Sequence, residues 1–593
     1  MSGRIKKSAH SVADAIIDSA LAAAPQTHAD LWGLARRVAS ARQARIPPTA
    51  VLRRSYLTAV RRQPSRRSPA LDRLLVRRGV RSLSGVAVIT VLTKPFPCPG
   101  RCVYCPTDAR MPKSYLPNEP AAARGLSLKF NPYRQVAFRL KSLNENGHPV
   151  DKIELIVKGG TWSSYPPAYQ DWFIKRCFDA ANAFGRTNRP TSRTLAAAQK
   201  INETAGGRII GLTLETRPDC ITPTEVVRLR RLGCTRVELG VQSVNERVLA
   251  LVKRGHDAAA AARAACLLKS AGFKTDFHMM PQLPDATPAS DRADIEEIFD
   301  NPDFRPDMIK IYPCVVVAEA ELYGWWRDGR YRPYSDKKLL ETLIAAKQKV
   351  PRYCRISRLI RDIPSDSIAA GNAVTNLRET VQREMKKRGL KCACLRCREI
   401  GHAVKEQPRL AQATPKLFDD IYEASGGTEH FLSFEDRQRR GVFAFCRLRL
   451  PSEALAKEGR LSTSPSLHLS TSICDLLPEL HGAALIRELH TYGHLVPIAD
   501  RDARASQHKG LGRRLMAEAE KIASKAGFKK MAVIAGVGVR GYYRQLGYQL
   551  RGTYMVKDLG LWASSDEVRA GEPRAGVTAT GPRASSSQKS CHA

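Results

Sequence analysis

The chain has 593 residues, 43% of them apolar, and a formal net charge of +39. That length allows about three or four domains, and the apolar fraction can bury large cores, so the charge does not mean disorder. No run approaches the roughly 18 apolar residues of a membrane span, and His10, Asp14 and Asp18 break any signal-peptide core, so a cytoplasmic protein with no membrane partner is expected.

Between Arg36 and Arg81 stand 14 arginines against one acid, Asp72. Such segments neutralise phosphates and gain affinity by releasing counterions. A solvated basic tail or a membrane-surface segment would carry the same charge. Yet Val51, Leu52, Leu57, Val60, Leu71, Leu74, Leu75 and Val76 recur within it, as packed helix faces do. Residues 1–84 are therefore expected to form a basic helical region that binds nucleic acid, with Arg53, Arg54, Arg61 and Arg62 as phosphate contacts.

From 85 to 365, short apolar runs at 86–92, 153–157, 209–214, 236–240, 273–279 and 308–312 alternate with helical stretches. That alternation predicts parallel strands with crossover helices, a partial barrel. Cys98, Cys102 and Cys105 follow the first strand in a Cys-x3-Cys-x2-Cys triplet. Three thiolates can hold three irons of a [4Fe–4S] cluster and leave the fourth open, which is what S-adenosylmethionine needs to chelate. A zinc knuckle would need a fourth protein ligand, and no nearby Cys or His supplies one. Gly159 and Gly160, Glu215 and Arg217, and Gln242 lie just beyond three later strands, where barrel enzymes carry active residues. The glycines would let backbone approach a ligand, and the polar three would contact the S-adenosylmethionine.

Residues 366–410 form a Lys/Arg-rich connector carrying Cys392, Cys394 and Cys397. Their spacing suits a structural zinc, with His402 or Cys314 as fourth ligand. A second iron–sulfur cluster and free thiols are the alternatives. Fifteen cysteines, an odd number with two tight clusters, fit a reducing compartment better than a disulfide framework. From 411 to 560 the pattern changes to antiparallel strands at 431–434 and 442–450, then a strand from 483 continuing to 496. Gln507-His-Lys-Gly-Leu-Gly512 then opens a helix over 513–525, a turn that offers backbone N–H groups to a pyrophosphate. A further strand at 531–534 and the pair Tyr542-Tyr543 complete the order found in GNAT acetyltransferases. The last residues, 561–593, are rich in Ala, Gly, Ser and Pro and read as a disordered tail.

A radical-SAM barrel followed by a GNAT domain resembles the catalytic subunit of Elongator and its stand-alone bacterial and archaeal relatives, from about Leu83 to Leu559. Blocks such as Phe304-Arg-Pro-Asp307, Arg361-Asp-Ile-Pro364, Arg487-Glu-Leu-His490 and Tyr554-Met-Val-Lys557 carry the likeness. Gln282 departs from the Asp or Asn expected after His-Met-Met-Pro. The resemblance implies carboxymethylation of the tRNA wobble uridine at C5, with a 5′-deoxyadenosyl radical activating the acetyl group of acetyl-CoA. It makes Cys98, Cys102 and Cys105 the cluster ligands. It makes Lys152, Glu488, Leu489, His490, Thr491, Leu511, Gly512, Arg513 and Tyr543 the acetyl-CoA contacts, with Lys152 and Tyr543 nearest the chemistry. The short Cys98–Cys102 spacing looks microbial, which implies no need for accessory Elongator-type subunits and leaves a homodimer open. The rival function is a protein lysine acetyltransferase with a structural iron–sulfur cluster. A non-catalytic tRNA scaffold and an RNA methylthiolase are weaker rivals.

Overall fold

The computed structural model describes residues 2–76, 85–185, 191–452, 473–492 and 510–560, with backbone alone for 2–11. Arg77, Arg78 and Arg81, the stretch 493–496, Gln507 and the tail 561–593 lie outside the described residues.

Four helices open the chain: α1 (Ser2–Ala23), α2 (His28–Ala41), α3 (Thr49–Arg62) and α4 (Pro69–Leu74). Thr27 starts α2 through a reciprocal cap, its hydroxyl accepting from Asp30 N–H while the Asp30 carboxylate accepts from Thr27 N–H. Ile16, Leu31, Leu52, Tyr56, Leu71 and Leu75 close a core separate from the rest of the molecule. The expected basic helical region thus has its own packed interior.

Seven strands follow in parallel and in sequence order: β1 (Ala87–Leu92), β2 (Lys152–Lys158), β3 (Arg208–Thr216), β4 (Arg236–Gln242), β5 (Lys274–Met279), β6 (Met308–Ile311) and β7 (Arg355–Arg358). This is the curled, partial barrel that the alternation predicted. The sequence of β7, Arg-Ile-Ser-Arg, holds one apolar residue and gave no strand signal. Along β2, Ile153, Leu155 and Val157 point outward into the core, whereas Glu154, Ile156 and Lys158 line the inside of the curl.

A second seven-stranded sheet contains β8 (Lys416–Glu423), β9 (Gly427–Glu435), β10 (Val442–Pro451), β11 (Ala483–Thr491), β12 (Lys530–Val533), β13 (Gln549–Arg551) and β14 (Tyr554–Asp558), in the order β13-β14-β12-β11-β10-β9-β8. All neighbours are antiparallel except β11 and β12. β8 is an edge strand with most of its side chains exposed, which is why its apolar pattern was too weak to read.

The two sheets share one apolar core, pinned by buried charge. Asp307, just before β6, takes Arg487 of β11 at 2.5 Å and Arg447 of β10 at 3.5 Å, with all three side chains at most 1% exposed. Arg230 donates to Ala535 O at 2.9 Å and Thr553 O at 2.8 Å. At Gly536 any Cβ would collide with Ile210 O of β3. Burial pushes the Asp307 carboxyl up, but Arg487 and Arg447 outweigh it and hold it below the usual carboxylate range. A depressed native pKa means that its contribution is complete above the unfolded value of about 3.9 and is lost as pH falls. Asp307→Ala takes one of two buried carboxylates from each guanidinium, leaving Arg487 to Glu429 and Arg447 to Glu488, and should cost about 3 kcal/mol in denaturant unfolding. A change below about 1 kcal/mol would mean that the ion cluster does not hold the sheets together.

Candidate active site

The inside of the first sheet encloses a cavity of about 690 Å3 that runs the length of the strands. Parallel barrels usually fill this space with branched apolar side chains. Here Glu154, Lys158, Glu215, Arg236, Glu238, Asp276, His278, Lys310 and Arg355 line it instead. Their charges nearly cancel, so the lumen stays open rather than packed.

At the upper end, beyond the strands' C-termini, Cys98, Cys102 and Cys105 face the cavity. Burial pushes the Cys102 thiol up, but Arg254, whose Nη1 is 3.4 Å from the sulfur, outweighs this and lowers its pKa. Around this loop several buried polar atoms have no protein partner: Arg217 Nη1, Arg254 Nε, Tyr104 Oη and Gln242 Oε1. Arg217 is otherwise fixed, its Nε on Asp219 at 2.9 Å and its Nη2 on Arg254 O at 2.9 Å. Of the unpartnered atoms, Arg217 Nη1, Arg254 Nε and Tyr104 Oη are donors, and orphaned donors near three thiols fit a polyanionic group such as an iron–sulfur cluster. Gln242 Oε1 is an acceptor for the cationic or N–H groups of S-adenosylmethionine. Glu215 has partners already, Lys158 Nζ at 2.5 Å and Tyr115 Oη at 3.2 Å. Gly160 lines the cavity, but Gly159 does not. Gly159 has φ +145°, and a Cβ there would strike Thr93, so packing alone already requires glycine at this position.

Midway down, Lys158 also contacts Glu238, which takes Lys310 Nζ at 2.5 Å. Lys310 Nζ lies 3.0 Å from His278 Nε2. Burial brings Lys310 down to about 8. Burial pushes the Glu238 carboxyl up, while the two lysines hold it well below its usual range. The belt offers donors and acceptors side by side to a polar planar ligand. The sequence reading missed Lys158, Glu238 and Lys310, and had His278 only as the first residue of the His-Met-Met-Pro motif. The available signal was charge at alternate positions of strands that should read as continuous apolar runs.

The lower end meets the second sheet. Arg355 donates to Tyr492 Oη at 3.2 Å and to Glu399 at 3.0 Å. Glu488 is held by Lys274 Nζ and Arg447 Nε, each at 3.0 Å, so its carboxylate is a structural anchor. β11 pairs with β12 only over Ala483–Ile486 and then stays with β10 as far as Thr491. That splay frees one backbone edge of Glu488–Thr491. Opposite it, Gly510 at φ +69° starts the helix Leu511–Lys525, whose first turn carries no acid. Thr491 Oγ1, Leu489 and Tyr542 Oη all face Gly512, within 3.0–3.9 Å of where a Cβ would stand. Arg513 is exposed beside them. Tyr543, the residue favoured from sequence, is buried against Tyr548 with ring centroids 6.0 Å apart, and its neighbour Tyr542 is the one that reaches the helix start. His490 stacks on Phe445 at 5.7 Å. Lys152 begins β2 opposite Arg208, which packs on Gly538 of the second domain. It does not line the cavity, and burial lowers its pKa.

The thiols of Cys392, Cys394 and Cys397 all lie within 4.8 Å of one another. A tetrahedral ion with Zn–S bonds of about 2.3 Å needs sulfurs about 3.8 Å apart, so the trio fits zinc. Cys98, Cys102 and Cys105 form no such tight group among the described residues, as suits ligands of separate irons. Neither His402 nor Cys314 joins the trio. Cys314 packs in a separate apolar cluster, and the expected fourth ligand is corrected accordingly. Lys347 Nζ instead stands 3.7 Å from Cys397 Sγ. Of the four arginines assigned to phosphates, Arg53 packs over Gly147 of the barrel, while Arg54 is exposed and forms a surface ion pair with Glu145 at 3.1 Å. Arg61 and Arg62 remain exposed at the end of α3.

Cys102→Ser removes the thiol that Arg254 stabilises. The purified variant should lose most of its iron and visible absorbance while keeping its unfolding midpoint within the range of a surface change. Unchanged iron content would sink the ligand assignment.

Residues 97–288 match the Radical SAM superfamily, and residues 306–387 match the Radical_SAM C-terminal domain. The chain is 44% identical over 496 residues to a tRNA uridine(34) acetyltransferase of Methanocaldococcus infernus, covering 82% of this chain and 88% of that one. It is 38% identical over 504 residues to Elongator complex protein 3 of Danio rerio, covering 83% and 87%. A solved structure of the archaeal Methanocaldococcus infernus Elp3 with an N-terminal deletion superposes with a TM-score of 0.67 at 41% identity, covering 80% of this chain and all of that one. With those shares of both chains aligned, and the cysteine loop and both sheets in place, the chain belongs to the family of tRNA uridine(34) acetyltransferases and Elongator complex protein 3.

Proposed function

We propose that this protein modifies the wobble uridine of tRNA, adding the two-carbon unit of acetyl-CoA to C5 to leave, after thioester hydrolysis, a carboxymethyl group. The name of the archaeal relative, tRNA uridine(34) acetyltransferase, supports the nucleoside and the transfer of an acetyl group. The observation that carries the reading is the continuity of one lumen from Cys98, Cys102 and Cys105 down to Arg355, which touches the residue after Thr491. A protein acetyltransferase with a merely structural cluster has no use for such a passage.

Cys98, Cys102 and Cys105 would hold a [4Fe–4S] cluster, which with S-adenosylmethionine supplies a 5′-deoxyadenosyl radical when bound. Arg217 and Gln242 offer their unpaired polar atoms to that end of the lumen, and Gly160 lines it beside them. In the second domain, the free edge of Glu488–Thr491 would pair with the pantetheine arm of acetyl-CoA. The N–H groups of Leu511, Gly512 and Arg513 would take its pyrophosphate. Tyr542 and Tyr543 would close that cleft. Lys152 sits six residues before Lys158 on one strand, about 20 Å lower at a strand rise of roughly 3.3 Å per residue. From there it would hold the coenzyme at the junction of the two domains. Cys392, Cys394 and Cys397 would bind a structural zinc. Arg398, in the same segment, donates to Glu435 at 2.6 Å and Arg352 O at 2.9 Å, so that ion would staple the barrel to the second sheet. A uridine reaches the lumen only from an unstacked loop, as RNA-modifying enzymes require.

Lys152→Ala should reduce acetyl-CoA hydrolysis and uridine modification together, by about tenfold for the loss of one charged hydrogen bond. Hydrolysis measured with tRNA present, alongside nucleoside composition, checks this. Wild-type rates in both would separate the two domains' substrates and overturn the shared-lumen model.

Replacing Arg61 and Arg62 together by Ala should weaken tRNA binding and flatten the plot of log K against log salt by up to about 1.8 units, since each lost phosphate contact removes about 0.9. An unchanged slope in a salt titration would mean that this end of α3 meets something other than tRNA.

A further inference from the structure

Beside the mouth of the lumen stands an aromatic ladder that none of the roles above uses. Phe96 stacks on Tyr165 with ring centroids 4.8 Å apart and 28° between planes. Tyr165 stacks on Tyr169 at 5.2 Å and 21°, and Tyr169 meets Trp172 at 5.6 Å and 36°. Lys94 Nζ lies 5.1 Å from the centre of the Tyr169 ring, within cation–π range.

The ladder is rigid and tied to the cysteine loop. Lys94 N–H donates to Tyr169 Oη at 3.1 Å, and Tyr165 Oη donates to Lys94 O at 2.8 Å. Two residues beyond Phe96 comes Cys98, whose Sγ lies 3.2 Å from Thr161 Oγ1 on the lumen wall. The stack thus stands directly beside the entrance.

Its inner rung is ordinary core, since Tyr165 is only 3% exposed. The outer rungs are not. Trp172 is 44% exposed, Phe96 and Tyr169 are half-buried, and Pro97, Pro99, Pro166, Pro167 and Ala168 around them face solvent. A ladder that served packing alone would end in apolar contact, not in an exposed indole with a cation nearby. Flat apolar faces with interleaved cations are how proteins hold single-stranded nucleic acid. Every base has a π-face, so stacking tolerates sequence while the cation answers the backbone. The chain's large positive charge favours an RNA occupant over a peptide.

We propose that the two ends of the ladder, the exposed Trp172 and the outer face of Phe96, form stacking faces for unpaired bases flanking the uridine that enters the lumen, with Tyr165 and Tyr169 holding them rigid and Lys94 beside them. The proposal rests on the tRNA reading above. A base that enters the lumen leaves its neighbours without a stacking partner, and aromatic faces at the entrance replace the stacking they lose.

The test uses full-length protein and an unmodified tRNA transcript with uridine at the wobble position. Equilibrium affinity is measured over a salt series for wild type, Trp172→Ala, Trp172→Phe and the Arg61/Arg62 double-alanine variant. A minihelix lacking the anticodon arm is the control ligand. Trp172 is a surface residue of the helix Pro167–Ala183, and alanine suits that position, so folding should be kept. The expected result is a loss of about fivefold or more for Trp172→Ala, the lower bound for one stacked base. The salt slope should not change, because no phosphate contact is removed. Trp172→Phe should recover most of the affinity, and the minihelix should bind all three Trp172 forms equally. Unchanged tRNA affinity for Trp172→Ala overturns the platform and leaves the patch to an apolar peptide. An equal loss on the minihelix overturns it too. Failure of wild type to prefer the tRNA over the minihelix would bring down the anticodon reading itself, a result distinct from failure of the platform alone.

Discussion

Asp307 lies with no exposed surface between Arg487 and Arg447, a carboxylate of the barrel neutralised by two guanidiniums of the other sheet. Separating the sheets would leave these charges in a medium that cannot solvate them. The cluster therefore fixes where β11 runs. With Arg487 held, Glu488 meets Lys274 at the start of β5, and Tyr492 meets Arg355 at the start of β7. The splayed edge of β11 comes to the floor of the lumen for that reason. The contact between the lumen and the second sheet depends on this one junction.

The lumen itself follows from the side chains that point inward. A parallel barrel with valine and isoleucine in those places would close on itself. Lys158, Glu215, Glu238 and Lys310 pair with one another instead, which satisfies each charge without filling the space. The pairing also sets protonation, since each carboxylate lies beside an ammonium. The same balance keeps the belt available to a neutral polar ligand, because no net charge has to be displaced.

Local features were legible where local physics decides them. The Cys-x3-Cys-x2-Cys loop follows β1, and the alternation of apolar runs gave six of the seven barrel strands. The helix after Gly510 begins where a glycine turn placed it, within two residues. β7 and β8 escaped because neither buries a full apolar face of its own. At Gly159 a Cβ would strike Thr93, a neighbour 66 residues away that no local pattern reveals. Tyr543 packs on Tyr548 while Tyr542 reaches Gly512, because successive residues of a helix face different ways and packing sets the direction.

By itself the sequence determined the groups within reach: three thiols at cluster spacing, three more at zinc spacing, a glycine turn at a helix start, and an excess of arginine. Each depends on residues within about ten positions, whose geometry the chain's own stereochemistry nearly dictates. Only the tertiary structure decided which of those groups share one space. It packed Arg53 against the barrel and left Arg54, Arg61 and Arg62 in solvent. It withheld His402 and Cys314 from the thiol trio, and it set a belt of paired charges between the two ends of the lumen. These outcomes turn on contacts between residues tens to hundreds of positions apart, and burial and charge neutralisation across such distances leave no local periodicity to read.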